Sequence, residues 1–206
     1  KYTLAYRAYG QDQVGNEREN EDYSLEIVET PERFRVILHP KHTICLENFF
    51  VSFYYDFKPQ DWFYAGGYQS WTTSREYRCT EVQRNFLSIA RATDWTKRLA
   101  GISSDAAFVP YSEKPGEFHS HCYTYIRNRE KVTLFGSLHE QTGYTWFRCK
   151  MNENRFEIHK DVEGKKTSES LVLLDIVILK GSYDEVFDGY FSMMEMPKTR
   201  TGFMSG

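Results

Sequence analysis

The stretch ICLENFFVSFYYDF, which covers Ile44–Phe57, alternates two sets of side chains along the chain. One set is almost entirely apolar and consists of Phe49, Val51, Phe53 and Tyr55. The other set is more polar and consists of Phe50, Ser52, Tyr54 and Asp56. A period of two in aromatic and β-branched residues is typical of a half-buried antiparallel strand. The stretch is therefore predicted to form one bent strand or two consecutive strands.

Segments with the same character occupy most of the chain. They cover residues 2–9, 23–30, 33–40, 61–64, 118–128, 131–140, 143–151, 155–162 and 169–181. Two segments, 81–95 and 182–196, have helical spacing instead, and the second begins with a capping box formed by Ser182 and Glu185. Many short strands with few helices predict a mainly all-β fold, a large antiparallel two-sheet β-sandwich with one or two short helices.

The bulk composition excludes several classes of function. The 206 residues carry a formal net charge of -3, and both signs are interspersed without a basic stripe, so nucleic acid is not expected as a partner. The longest apolar run, Leu171–Leu179, is interrupted by Asp175 and is much shorter than the roughly 20 residues that cross a bilayer. A membrane is therefore not expected as a partner either.

The cysteines bear on the cellular compartment. Cys45, Cys79, Cys122 and Cys149 are widely spaced, and none forms a C-x-x-C pair. Two disulfides are arithmetically possible, but the spacing does not indicate a metal site. We expect reduced, mostly buried thiols, as in a cytoplasmic protein, because free cysteine behaves as a small hydrophobic residue.

Residue types that could perform chemistry are present without a convincing arrangement. The carboxylates considered for acid–base work are Asp56, Asp61, Glu76, Asp94 and Asp105, all expected to be solvated loop residues. No G-x-S-x-G nucleophile elbow occurs. His119 and His121 would share one face of a strand, away from Cys122, so a strand surface is expected there rather than a metal site. No cofactor is predicted.

The stretch AGGYQSWTTSREY, Ala65–Tyr77, offers the best candidate for binding. Gly66 and Gly67 would act as a hinge, because glycine permits a positive φ or a close approach of backbones. Trp71 would then be presented on a rim beside the amide of Gln69. An aromatic face next to an amide suits a sugar, since the ring stacks on C–H groups while the amide binds hydroxyls. The alternative is a Trp71 that caps the sandwich core.

The segment FYAGGYQSWTTSREY resembles the N-G-Y-Q-S-W-T signature in the N-terminal domain of melibiase-type bacterial α-galactosidases, glycoside hydrolase family 36. The C-terminal stretch GSYDEVFDGYFSMMEMPKTRTGFMSG is similar to the helix and connector that lead from that domain into the catalytic barrel. The resemblance implies that residues 1–196 form a supersandwich-like N-terminal domain. Residues 197–206 would begin the connector to a (β/α)8 barrel outside this sequence.

The resemblance also implies a function. In the family, two aspartates of the barrel carry out retaining hydrolysis of terminal α-galactosides, so no catalytic residue is expected in these 206 residues. Family members often form tetramers in which N-terminal domain loops close the substrate pocket of a neighbouring subunit. The expected partners are therefore the barrel, further copies of the chain and α-galactoside sugars. The candidate substrate-binding residues are Tyr68, Gln69, Ser70 and Trp71.

Two other functions fit the same sequence. The chain could be a stand-alone carbohydrate-binding module, whose loop binds sugar weakly through Trp71 without another domain. It could instead be a purely structural domain, in which Trp71 is buried and touches no substrate.

Overall fold

A computed structural model describes residues 21–67, 73–84, 111–112 and 114–194, together with the backbone of residues 2–8 and 11–15. The strands are β1 (Tyr2–Ala8), β2 (Gln11–Gly15), β3 (Tyr23–Glu29), β4 (Arg33–Pro40), β5 (Ile44–Tyr54), β6 (Trp62–Ala65), β7 (Arg75–Tyr77), β8 (Glu117–His121), β9 (Tyr123–Asn128), β10 (Lys131–Ser137), β11 (Tyr144–Lys150), β12 (Arg155–Thr167) and β13 (Leu171–Gly181). A short 3-10 helix covers Met151–Glu153, and an α-helix, α1, covers Tyr183–Met193.

The described strands form two antiparallel sheets. The six-stranded sheet has the order β2-β1-β5-β12-β11-β8, and the seven-stranded sheet has the order β3-β4-β13-β10-β9-β6-β7. Every pairing between neighbours is antiparallel. The predicted all-β two-sheet sandwich is therefore confirmed.

The core lies between the inward faces of the two sheets. Along β5, Phe49 and Val51 are buried, whereas Tyr54 on the opposite face is 69% exposed. Phe156 and Ile158 extend this apolar layer along β12, and the two strands pair in register. The alternation in Ile44–Phe57 thus identified the core face correctly, and the stretch forms one strand of eleven residues rather than two.

Strands β8 and β9 lie in different sheets although a single residue separates them. The sequence predicted one strand over 118–128, but β8 belongs to the six-stranded sheet and β9 to the seven-stranded sheet. Cys122 between them has a φ of 62°. Its N–H donates to the carbonyl of Thr145 at 3.0 Å, and its carbonyl accepts from the N–H of Ser137 at 2.9 Å. This corner brings the ends of the two sheets together.

Helix α1 covers part of the outer face of the seven-stranded sheet. It begins at the predicted capping box, where Ser182 N–H donates to Glu185 Oε2 at 2.8 Å. Val186 and Tyr190 are its buried residues and pack on β10 and β13. Of the other predicted helix, residues 85–95 lie outside the described residues, and 81–84 are not helical. Among the described residues, no helix has the length and apolar character needed to cross a membrane.

Candidate functional site

The predicted loop connects β6 to β7 and is described at both ends. Tyr68, Gln69, Ser70 and Trp71 lie outside the described residues, whereas Gly66 and Gly67 are described. The described part of the candidate site therefore consists of the residues at the two ends of the loop.

Gly66 is bound through its backbone to the corner between β8 and β9. Its N–H donates to Ser120 Oγ at 2.8 Å, and its carbonyl accepts from the N–H of His121 at 3.0 Å. The Ser120 side chain is fully buried, and its hydroxyl donates in turn to the carbonyl of Tyr123 at 2.6 Å. The first residue of the loop is therefore attached to both sheets at once.

The loop is also closed at its base. Gly67 N–H donates to Ser74 Oγ at 3.2 Å, and Ala65 pairs with Arg75 across β6 and β7. A Cβ placed on Gly66 would lie 3.1 Å from Cε1 of Tyr64 and 3.2 Å from Ser120 Oγ. Gly66 has no positive φ, and its backbone lies close to the side chains of Tyr64 and Ser120.

A cluster of tyrosines lies beside this loop base, on the outer face of the seven-stranded sheet. In this tyrosine cluster, defined as Tyr64, Tyr123 and Tyr125, the ring of Tyr64 stacks on Tyr125 with centroids 4.9 Å apart and on Tyr123 at 5.5 Å. The hydroxyl oxygens of Tyr64 and Tyr123 are 3.4 Å apart. Burial and, to a smaller extent, the contact with Tyr64 raise the pKa of Tyr123, and its hydroxyl is protonated at physiological pH.

An ion pair borders the tyrosine cluster. Arg127 Nε donates to Glu76 Oε1 at 2.7 Å, and Arg127 Nη2 donates to the second carboxylate oxygen. The hydrogen bonds from Arg127 are the largest cause of a lowered pKa at Glu76. The guanidinium groups of Arg127 and Arg78 lie 5.5 and 4.2 Å from the ring centroid of Trp62. Charge-assisted hydrogen bonds and cation–π contacts therefore fix the side chains of Glu76, Arg127 and Trp62 beside the tyrosine cluster.

The prediction of solvated loop carboxylates is wrong for two of the five residues. Glu76 belongs to strand β7. Asp61 is buried, and it accepts hydrogen bonds from the N–H of Lys58 at 2.8 Å and from Asn128 Nδ2 at 2.5 Å. Asp56 is exposed beside Lys58, as expected. The remaining two carboxylates, Asp94 and Asp105, lie outside the described residues.

His119 and His121 share a face of β8, as predicted, but that face is covered rather than exposed. Both side chains are buried. The Tyr111 ring meets the His119 ring edge-on with centroids 4.5 Å apart. The Gln83 side-chain amide donates to the carbonyl of His119 and accepts from the N–H of the same residue. No group of three or more His, Cys, Asp or Glu residues could hold a metal ion within the part of the chain that the structure describes.

Sequence reasoning missed a row of rings on the outer face of the six-stranded sheet. His159 stacks between Trp146, at 3.7 Å, and Phe50, at 5.0 Å. Its Nε2 is 2.9 Å from Glu157 Oε2. Burial lowers the pKa of His159 against the opposing effect of Glu157. The available signal was the period of two along 155–162, which places His159 and Glu157 on the face opposite Phe156 and Ile158.

Sequence reasoning also missed a lysine in the core. Lys160 follows Phe156 and Ile158 on the inward face of β12, and its side chain is fully buried. Its Nζ donates to the carbonyl of His139 at 2.5 Å and to Thr145 Oγ1 at 2.9 Å. Burial lowers the pKa of Lys160. The predicted segment 155–162 already contained Lys160, and continuing the period of two from Phe156 and Ile158 places it on the inward face.

The four cysteines are free thiols, but the expectation that most are buried is wrong. Cys149 is buried, Cys45 and Cys79 are partly buried, and Cys122 is exposed at the corner between the sheets. Burial raises the pKa of Cys149 well above its usual value, so this thiol is protonated and unreactive at neutral pH.

Fold and site together define the class of protein as a two-sheet antiparallel β-sandwich domain with a loop anchored where the sheets meet. No protein-family model matches the chain, and no curated protein is significantly similar to it. A proposal about function therefore rests on the loop, its surroundings and the resemblance of two short segments.

Proposed function

We propose that the chain is the non-catalytic N-terminal domain of an α-galactosidase-like glycoside hydrolase. In this role it supports assembly and contributes Tyr68, Gln69, Ser70 and Trp71 to the substrate pocket of a neighbouring subunit. Two features support the proposal. The loop and the C-terminal segment resemble the corresponding segments of glycoside hydrolase family 36. The large two-sheet sandwich is the architecture expected of such a domain.

The observation that carries the proposal is the anchoring of the loop base. Gly66 is bonded through its N–H to Ser120 and through its carbonyl to His121. Gly67 is bonded to Ser74 at the other end of the loop. A loop that leaves from a fixed base loses less conformational entropy when it closes over a ligand. Such a base suits a loop that completes a pocket.

Exposed apolar side chains on α1 support a partner domain. Phe191 is 55% exposed, Met193 45% and Met194 38%, and all three lie near the C-terminal end of the helix. Exposed apolar side chains that cluster in this way mark interaction surfaces. In our proposal this end of the domain meets the catalytic barrel of the same polypeptide, and the assembled protein is a homo-oligomer.

The proposal assigns hydrolysis to residues outside this chain and requires no cofactor within it. It also places the protein in the cytoplasm, because the four cysteines are free thiols. The purified 206-residue chain should be assayed with a chromogenic α-galactoside. We expect no turnover while circular dichroism shows a folded β-rich protein. Turnover of the α-galactoside that persists through further purification would contradict the proposal.

A second function, the stand-alone carbohydrate-binding module, is favoured by a different observation. The tyrosine cluster lies beside the loop base within a single chain, so aromatic rings and hydroxyls are available there without a partner subunit. Aromatic rings next to hydrogen-bonding groups are what a sugar requires. In this case the isolated chain should bind sugar by itself.

A sugar titration separates the two functions. Galactose, melibiose and raffinose should be titrated into the wild type, the Trp71→Ala variant and a control, Tyr54→Ala, which removes an exposed ring on the other sheet. Binding that is lost only in Trp71→Ala would favour the module. No binding up to high millimolar sugar would favour a pocket completed by another subunit. If Trp71→Ala instead lowers the free energy of unfolding by about 3–5 kcal/mol, the structural role is correct.

A further inference from the structure

We propose that Ser170 is a modification site, a serine hydroxyl that reacts with activated acyl donors such as acyl thioesters and aryl esters. Its hydroxyl oxygen is 2.8 Å from Nδ1 of His39, and Nε2 of that ring is 3.2 Å from a carboxylate oxygen of Glu26. A serine, a histidine and a carboxylate in this order make up the arrangement that activates serine nucleophiles. The inference goes beyond the proposed function, since it involves no sugar and no residue of the β6–β7 loop.

The pairing of three strands brings these side chains together. Glu26 lies on β3 and His39 on β4, and the two strands pair in register. Strand β13, which follows Ser170 directly, pairs with β4 on its other side. Leu38 is buried in the core, so the next residue, His39, points to the outer face of the seven-stranded sheet. The three residues therefore meet because of the sheet, although they are far apart in the sequence.

The direction of the two hydrogen bonds follows from the chemistry of the three groups. An ionised carboxylate can only accept, so a neutral His39 ring must carry its proton on Nε2 and donate it to Glu26. Nδ1 then has the lone pair, and the hydroxyl of Ser170 donates to it. This is the direction that a general base requires, because the lone pair of His39 already faces the proton that Ser170 has to lose.

The reaction is an acyl transfer to an accessible hydroxyl. Ser170 is exposed, and the side chains of His39 and Glu26 are 39% and 54% exposed. The oxygen of Ser170 attacks the carbonyl carbon of the donor while its proton moves to Nδ1 of His39. The bond to the thiolate or phenolate then breaks, the proton passes to this leaving group, and Ser170 remains as an acyl ester. The carboxylate of Glu26 stabilises the imidazolium that forms in between.

Acetylation by p-nitrophenyl acetate tests the inference, with the acetyl groups located by tandem mass spectrometry of peptides. Ser168 is an internal control, because it is exposed in the same turn and lies on the same tryptic peptide, residues 167–180. We expect the wild type to be acetylated at Ser170 at least about tenfold faster than at Ser168, below the roughly 10²–10⁴-fold that a general base supplies in a closed site. In His39→Gln the two serines should react at similar rates.

Glu26 is a positioning residue, and its variants separate its charge from its hydrogen bond. Glu26→Gln keeps an acceptor for Nε2–H of His39 but loses the charge, so the preference for Ser170 should fall severalfold. Glu26→Asp keeps the charge and should lose less of this preference.

His42→Gln is the matched control, because Nε2 of His42 is 3.1 Å from a carboxylate oxygen of Asp22 and its ring is also exposed. This variant should keep the wild-type preference for Ser170. Equal acetylation of Ser168 and Ser170 in the folded wild type, or none at either, would overturn the proposal. A preference that persists in His39→Gln would overturn it too, because exposure alone would then explain the labelling.

Discussion

Gly136 lies directly beneath the ring of Tyr190, so that a Cβ on Gly136 would be 2.3 Å from Cε2 of that ring. The Tyr190 hydroxyl donates to the carbonyl of Ser137 at 2.9 Å and holds the ring in place. Gly136→Ala must therefore displace Tyr190 and with it α1. We expect the free energy of unfolding to fall by about 1–3 kcal/mol, as for an overpacked core site. Urea unfolding followed by fluorescence measures this loss.

A double-mutant cycle identifies the cause of that loss. In a Tyr190→Ala background the ring is absent, so adding Gly136→Ala should change the free energy of unfolding by no more than about 0.5 kcal/mol. An equally large loss in both backgrounds would mean that the alanine strains the backbone of β10 rather than the helix contact.

The second prediction concerns Asp175, which accepts hydrogen bonds from two arginines. Arg33 donates through Nε at 2.7 Å, and Arg35 donates through Nη2 at 2.6 Å. Burial acts to raise the pKa of Asp175, but the hydrogen bonds from Arg33 and Arg35 outweigh it and the pKa is lowered. Asp175→Asn should lower the free energy of unfolding at pH 7 by about 1.5–3 kcal/mol, the range for hydrogen bonds to charged groups.

The same contact predicts a dependence on pH. Because the pKa of Asp175 is lower in the folded state, its stabilising effect is complete above the unfolded value of about 3.9 and is lost as the pH falls through the folded pKa. Unfolding free energies measured from pH 7 to pH 2 should therefore converge for wild type and Asp175→Asn. Asp56→Asn is the control, since Asp56 and Lys58 are both about half exposed. Parallel curves without convergence would contradict the assignment.

The third prediction concerns Lys160, whose pKa is lowered by burial in the core. The folded state then binds this proton less tightly than the unfolded chain, whose lysine pKa is about 10.4. The free energy of unfolding should therefore rise as the pH increases from the folded pKa toward that value. Lys160→Met lacks this slope, and comparing the two proteins between pH 7 and pH 10 cancels the titration of all other groups. A constant difference would show that Lys160 titrates as in water.

The fourth prediction tests the anchor of the loop. Ser120→Ala removes the acceptor for the N–H of Gly66, so amide hydrogen exchange at Gly66 should accelerate by about tenfold or more. Ser137→Ala is the control, because it removes another buried hydroxyl at the same end of the sandwich without touching the loop. Equal acceleration of Gly66 exchange in both variants would mean that global unfolding, rather than the Ser120 contact, controls this amide.

The sandwich could be predicted because apolar and polar residues alternate within each strand, and this alternation indicates a β-strand without knowledge of its partners. Alternation along Ile44–Phe57 separates the buried Phe49 from the exposed Tyr54, whatever pairs with the strand. The full extent of β12 was not predictable, since Lys165 and Lys166 extend it by pairing with β5 after a register shift. The segment around Lys165 and Lys166 is a strand because it pairs with β5, and such pairing between distant segments cannot be deduced from the local sequence.

The candidate site was predictable only as a motif. Glycines before an aromatic residue indicated a loop, but its anchor joins Gly66 to Ser120, 54 positions later in the chain. The role of Tyr64 beside Tyr123 depends on the pairing of β6 with β9. The division of residues 118–128 into two strands at Cys122 was not predictable either, because no glycine or proline marks the turn.

The order of strands in the seven-stranded sheet has a consequence for how the protein is made. Strand β4 pairs with β13, which brings Arg35 beside Asp175, 140 positions later in the chain. Strand β5 likewise pairs with β12 in the other sheet. The six-stranded sheet therefore cannot be completed during translation until β12 has left the ribosome, and the seven-stranded sheet cannot be completed until β13 has. Until β12 is made, the apolar face of β5 lacks its β12 neighbour, and because such long-range pairings must form before either sheet is complete, we expect this chain to fold slowly.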